Sequence, residues 1–304
     1  MLECNTPTLP YSHTIPCLVL EGEIVLEAER TEQKKHTSGA YARIGCALLI
    51  GFVAGILSGG LGIGGGIIMV PAMVYLLSMT QHKAHGTSLA AIWAIVLLSA
   101  GYYSINKQVD WVVAAEIAVG GIIGASIGAR ICTRISGGVL RKYFALFLWV
   151  SALKMLWDAY NAHRQQVEHA VQMASHIAAT EPLGALIIFT VGIAAGILSG
   201  LLGVGGGIIM VPALVILGFS QKLAQGVSLA VIIPISVSGA FTHYKRGNVV
   251  PEVALWLGIG GIGGGLLGSA LAGKAPDWIL KIAFGVLMLI VGWLMFRQKP
   301  SEKK

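Results

Sequence analysis

One stretch of 21 residues occurs twice in this chain, and that duplication limits the folds open to it more than any other feature. Ala54-Gly-Ile-Leu-Ser-Gly-Gly-Leu-Gly-Ile-Gly-Gly-Gly-Ile-Ile-Met-Val-Pro-Ala-Met-Val74 returns at Ala195 to Val215 with 18 of the 21 positions identical. After a slip of one residue the match continues at a spacing of 140, through Gln81/Gln221, Gly86/Gly226, Ser88-Leu-Ala90 with Ser228-Leu-Ala230, Gly120/Gly260, Gly124/Gly264, Gly128/Gly268 and Phe144/Phe284. A match this long marks one structural unit made twice. Each copy holds five apolar blocks, at 44–57, 67–79, 84–104, 111–129 and 139–157 in the first and at 183–200, 208–219, 223–243, 250–271 and 278–296 in the second. The organisation expected is a polar N-terminal tail over 1–43, repeat 1 over 44–158, an amphipathic linker over 159–182, repeat 2 over 183–297 and a C-terminal tail over 298–304.

Blocks this apolar do not belong in water. Only 12% of the residues are charged and 55% are hydrophobic, against about 25% charged in a soluble domain. The pattern predicts an all-α integral membrane protein surrounded by the lipid bilayer, and it excludes collagen, a disulfide scaffold and a disordered chain. The net charge of +7 sits in loops and tails, where basic residues set orientation, so no nucleic-acid partner is expected. Cys4, Cys17, Cys46 and Cys132 form no C-x-x-C pair and no Cys/His cluster, so neither a disulfide framework nor a metal site is expected. In residues 1–43 no basic segment leads into an apolar one, and the stretch reads as a polar tail rather than a signal peptide.

Block length and charge together predict the topology. A bilayer core of about 30 Å needs about 20 helical residues, which the last three blocks of each copy supply. The first two blocks of repeat 1 reach only roughly 20 Å each at 1.5 Å per residue, so they read as a broken helix or a re-entrant hairpin bent at the glycines. The N-terminal tail, the loop from Arg130 to Lys142 and the C-terminal tail each hold four Lys or Arg. Placing all three on the cytoplasmic side requires a hairpin plus two spans before Arg130, which selects the hairpin. The inner side then collects 15 of the 21 basic residues, and both termini are cytoplasmic. Each repeat makes an odd number of net crossings, so the two repeats are inverted. Inverted repeats with interrupted helices are the architecture of secondary transporters.

In the linker, Val167, Ala170, Val171, Ala174, Ile177 and Ala178 recur at helical spacing and predict a short amphipathic helix. His169 and His176 lie on its polar face, seven residues apart, too far to share one ion unaided; a solvated face is the better reading.

The glycine runs Leu61 to Gly66 and Leu202 to Gly207 are where chemistry is expected. Backbone without side chains exposes consecutive N–H groups to an anion, and a helix N-terminus adds a partial positive charge. The helices that follow start near Ile67 and Ile208, with Pro71 and Pro212 inside or close to their first turns. Two hairpins entering from opposite faces bring both tips to mid-depth. Gly120/Gly124/Gly128 and Gly260/Gly264/Gly268 have small-xxx-small spacing and read instead as helix packing. Hydroxyls near the tips are Ser58, Ser199, Thr87, Ser88 and Ser228, each equally able to bond its own helix carbonyl. The candidate substrate-binding set is therefore Ser58, Gly62, Gly64, Gly65, Gly66, Ser88, Ser199, Gly203, Gly205, Gly206, Gly207 and Ser228. His85 and Gln225 occupy equivalent places, as do Tyr103 and His243; a histidine can carry a coupled proton, but neither recurs in the partner repeat, which argues against that role.

Enzyme readings fare worse. Gly60-Leu-Gly-Ile-Gly-Gly65 fits G-x-G-x-x-G, yet no strand precedes it and Leu201 stands where repeat 2 would need the first glycine. Ser238 and His243, five residues apart on one helix, point to different faces, and no G-x-S-x-G elbow occurs. No catalytic residue and no cofactor is expected.

The doubled G-x-x-S-G-x-x-G-x-G-G-G-x-x-x-x-P at Gly55 to Pro71 and Gly196 to Pro212, followed by Thr87-Ser-Leu and Val227-Ser-Leu, resembles the signature of the TauE/SafE family of bacterial membrane permeases, from Ala42 to Arg297. The resemblance implies a bacterial inner-membrane protein that moves small anions, often sulfur oxyanions or organosulfonates. Val227 departs from the threonine of the first copy and removes one hydroxyl from any symmetric site. The expected function is thus secondary transport of a small anion, sulfite or an organosulfonate, by alternating access. The alternatives are a passive anion channel and a non-transporting membrane assembly protein. The sequence carries no signal for an oligomeric state.

Overall fold

A computed structural model describes residues 42–131, 137–164, 182–202 and 206–297. Most of the N-terminal tail, most of the linker with His169 and His176, the tip residues Gly203 and Gly205, and the C-terminal tail lie outside the described residues. Residues Cys46–Lys304 form one compact unit, and the packing below is that of this unit.

The described residues form ten helices and no strand. They are α1 (Ala42–Leu61), α2 (Gly66–Leu76), α3 (Gln81–Ile105), α4 (Trp111–Ile131), α5 (Gly137–Arg164), α6 (Pro182–Leu202), α7 (Gly207–Ile216), α8 (Gln221–Lys245), α9 (Pro251–Lys274) and α10 (Asp277–Arg297). Five of them, α1, α3, α8, α9 and most of α10, are long and apolar enough to cross a bilayer. Their outward faces carry Leu49, Leu97, Leu255, Ile290 and Trp293, each at least 47% exposed. Apolar surface on that scale is stable against lipid rather than water. The chain is an all-α integral membrane protein.

The loops are closed by local chemistry. The Asp110 carboxylate accepts from Val112 N at 3.0 Å and Val113 N at 3.2 Å, capping α4. Ser220 Oγ accepts from Leu223 N at 3.3 Å at the head of α8, and Pro251 opens α9, where its missing N–H is no loss.

The helix preceding each glycine run is longer than block length suggested. α1 has 20 residues, because Leu48 to Leu61 stays helical through Gly51, Gly55, Gly59 and Gly60 by packing against α9. The two arms are therefore unequal: a helix of roughly 30 Å, then 11 residues of α2 spanning roughly 16 Å. The chain does double back. Gly65 lies against the Ala54 carbonyl and Ser58, a full two turns back along α1, and α1 and α2 share a buried cluster of Ala47, Ile50, Ala54, Met69 and Met73. Pro71 and Pro212 fall just past the first turns of their helices.

The repeats exchange partners across the molecule. α1 packs on α9 and α6 on α4; α3 packs on α8, and α5 on α10. Individual contacts come in matched pairs. A Cβ on Gly124 would collide with the Ile193 carbonyl, and one on Gly264 with that of Phe52; one on Gly86 would collide with the Asn248 carbonyl, and one on Gly226 with that of Gln108. Each pair maps onto the other by the sequence repeat. Such reciprocity, with residue i on j and j on i, is the mark of a two-fold relation. The glycine series read as helix packing does that, with Gly120, Gly124, Gly260, Gly264 and Gly268 each pressed on a facing backbone.

Candidate functional site

The two half-helices begin with the same geometry. Gly65 at the head of α2 has φ 73 and ψ −15, and Gly206 at the head of α7 has φ 78 and ψ −25, both left-handed. This conformation costs an L side chain roughly 1–2 kcal/mol and glycine nothing. Ile68 and Met69 donate to the Gly65 carbonyl, and Ile209 and Met210 to that of Gly206. The N–H groups of Gly66 and Ile67, and of Gly207 and Ile208, precede any intrahelical acceptor. Neither helix has a side-chain cap or an acidic residue in its first turn, so both partial positive charges are uncompensated within the helices.

Packing brings these helix heads together. A Cβ on Gly207 would meet the Gly62 carbonyl oxygen at 2.7 Å, Ile63 C at 2.9 Å and Ile232 Cδ1 at 2.9 Å; one on Gly64 would meet the same Ile232 Cδ1 at 3.1 Å. Ile232 is the twelfth of the 25 residues of α8, so the heads meet halfway along a membrane-length helix. The Gly62 carbonyl is held by Ser228 Oγ at 2.8 Å, a bond between repeats rather than within a helix. Ser58, with no exposed surface, faces Gly65 and its Oγ has no partner.

Behind this junction lies a polar cluster that was not among the sequence candidates. Tyr103 Oη sits 3.0 Å from the Gly59 carbonyl and 3.1 Å from Gln225 Oε1. One phenolic proton serves only one of these acceptors. If it goes to Gly59, the Gln225 amide turns to donate to Tyr103; in either orientation at least one amide N–H is left over. Ser269 Oγ approaches the same Gly59 carbonyl at 3.4 Å. Ser99 Oγ and both amide atoms of Gln221 are buried without partners. A buried polar group left unpaired costs about 1–3 kcal/mol, so this set is suited to water or to the oxygens of a ligand. For Ser99, Tyr103, Gln225 and Ser269 the signal in the sequence is a polar residue inside an apolar block where the repeats differ; Gln221, repeated as Gln81, carries no such signal.

Other candidates divide. Ser88 is 2% exposed, and its Oγ donates to the His85 carbonyl at 2.9 Å, a bond within its own helix. Thr87 Oγ1 accepts from Val250 N at 3.0 Å and joins α3 to the strap before α9; Val227, its counterpart, is buried. Ser199 lies in α6, and its side chain is outside the described residues, as are Gly203 and Gly205. Among the described residues no three His, Cys, Asp or Glu side chains converge to hold a metal ion.

An all-helical membrane protein of two partner-exchanging repeats, with paired half-helices meeting in its interior, has the build of a membrane transporter. Residues 17–155 and 188–304 match the family described as sulfite exporter TauE/SafE, and the chain belongs to that family. It is 29% identical to the probable membrane transporter protein YunE of Bacillus subtilis over 81% of this chain and 94% of the relative. It is 31% identical to a probable membrane transporter protein of Xylella fastidiosa over 82% and 91% of the two chains. A probable membrane transporter protein of Methanocaldococcus jannaschii is 25% identical over 82% and 93%. No solved structure matches the chain.

Proposed function

We propose that this membrane transporter carries a small anion, sulfite or an organosulfonate, by alternating access, and that the anion binds where the heads of α2 and α7 meet. The observation that carries the reading is the convergence at Ile232 of two uncapped helix N-termini, beside the buried, unpartnered Ser58 hydroxyl. Two partial positive charges and free N–H donors stabilise an oxyanion without a buried lysine. In this reading the bilayer is the bacterial inner membrane, the two repeats are inverted, and both termini are cytoplasmic.

Alternating access is supported by unequal closure of equivalent positions. Tyr103, Gln225 and Gln221 are fully buried, while His243 and His85 are partly exposed and Gln81 is exposed. Similarly, Ile208 and Pro212 of α7 are buried, while their equivalents in α2, Ile67 and Pro71, are half-buried and exposed. Repeats of one sequence in two settings can exchange settings, which opens one side as it closes the other. The test is uptake by proteoliposomes of labelled sulfite, an organosulfonate, sulfate and chloride. Saturable uptake of sulfite or the sulfonate, accelerated by the same anion inside, is expected; flux without such acceleration would make the protein a channel.

A further inference from the structure

The polar clamp at the end of α3 has a counterpart at the opposite end of α3, and there the residues are titratable. Tyr103 of α3 and Gln225 of α8 meet at 3.1 Å. The sequence repeat carries Tyr103 to His243 and Gln225 to His85. Because the repeats exchange partners, two histidines that each lack a copy of themselves fall at one junction: a Cβ on Gly86, next to His85, would lie 2.9 Å from His243 Cβ. His243 Nδ1 is buried without a partner, although the residue as a whole is partly exposed, as is His85. The histidine junction is the less closed of the two; at the other, Tyr103 and Gln225 have no exposed surface.

Charge surrounds this pair unevenly. α3 adds His82 and Lys83, and α8 with its following turn adds Lys245 and Arg246; His82 and Arg246 act on His243 directly. Of the other helices packed on α8, α4 carries Glu116 and α7 carries no titratable residue. α10 contributes Asp277, which is bonded to Gln221 N at the far end of α8. Of the helices packed on α3, α2 carries Tyr75 and α9 opens with Glu252, just past the Asn248 carbonyl that faces Gly86. Lys83, Lys245 and Arg246 outweigh Glu252, so the mouth at this end carries net positive charge, which concentrates anions.

Resting on the anion-transport reading above, we propose that His85 and His243 bind the proton that travels with the anion, so that transport is proton–anion symport with the proton held at this junction. An anion within about 4–6 Å favours the protonated imidazole, and by reciprocity the bound proton favours the anion. The neutral Tyr103–Gln225 clamp at the other end cannot titrate near neutral pH, so one protein carries a proton-sensing junction on one side only.

The test exchanges the junction for a copy of its own counterpart. In proteoliposomes the wild type and His85→Gln/His243→Tyr are compared for benzenesulfonate and sulfite counterflow and for accumulation under an imposed pH gradient. A one-unit gradient, acid outside, drives roughly tenfold accumulation per coupled proton. The wild type is expected to approach this, and the double variant to fall to a ratio of about one while its counterflow persists without rising on acidification. Gradient-driven accumulation retained by the double variant overturns the proposal, as does counterflow in the wild type with no response to the gradient. Absence of all counterflow in folded wild type instead removes the transport reading beneath it. A second measurement needs no variant: adding benzenesulfonate, which carries no proton of its own at neutral pH, to purified protein in weak buffer should take up protons, and no uptake overturns the proposal.

Discussion

Ser228 is the side chain on which the junction of the two repeats most visibly depends, since its hydroxyl is the donor to the Gly62 carbonyl across 166 positions of sequence. Ser228→Ala leaves that carbonyl buried and unpaired. We expect a loss of about 1–3 kcal/mol, read as a lower Tm of the purified protein, together with slower counterflow; an unchanged Tm and rate would assign the bond no role. Tyr103→Phe removes the only proton shared between Gly59 and Gln225. The expected result is a faster anion leak through that closed end, measured as efflux from loaded vesicles without exchange. Much of this was legible. The duplicated motif and its continuation point to Ser58, Gly62, Gly64, Gly65 and Ser228, which lie at one junction. Repetition points to Gln225 and Tyr103 only as equivalents of histidines, because their cluster forms where the repeats differ. Ser88 offers a hydroxyl, but a serine inside a helix finds its own carbonyl at i−3 or i−4, as here.

Among the helices, what sequence spacing conveyed best was close approach. The glycines at 120, 124, 260, 264 and 268 each meet a facing backbone, so Gly124→Ala or Gly264→Ala must push α4 from α6 or α1 from α9. Gly101 in α3 has nothing within 4 Å of a Cβ. The pair gives a controlled comparison: Gly101→Ala is expected to be neutral or up to about 1 kcal/mol stabilising, whereas Gly264→Ala should reduce the monodisperse yield on size-exclusion chromatography. Equal yields would remove the packing account. Block length misjudged α1, since apolar residues alone ended it near 57 while the helix continues to Leu61. Glycine is a poor helix former in water, but contact with α9 keeps the α1 glycines helical. That is tertiary context overriding propensity. The glycine-to-leucine difference at Gly60 and Leu201 fits the same view, because a Cβ on Gly60 finds its nearest neighbour at an ordinary 3.5 Å.

For the molecule as a whole, the two-fold relation was readable from the duplicated motif, but the exchange of partners was not. No property of a linear repeat says whether α1 packs within its own half or on α9. The exchange places each half-helix head against the other repeat and so makes the interior junction a shared one. The proposed inversion of the repeats has a direct consequence for accessibility. With the native cysteines replaced, single cysteines at Lys107 and Lys274 should label from one side of the membrane and those at Lys83 and Arg246 from the other; all four are exposed. Lys107 and Arg246 follow the equivalent helices α3 and α8, so labelling of these two from the same side would rule out the inversion.

The central claim is that an anion crosses through the junction of the α2 and α7 heads. The most direct measurement is sulfite and benzenesulfonate counterflow in proteoliposomes for the wild type, Ser58→Ala and Gly65→Ala/Gly206→Ala, with folding of each followed by Tm and size-exclusion profile. Saturable counterflow is expected in the wild type, weakened by Ser58→Ala and lost in the glycine variant at near-native monodispersity. Folded glycine variant exchanging at the wild-type rate, or folded wild type moving neither anion, would contradict it.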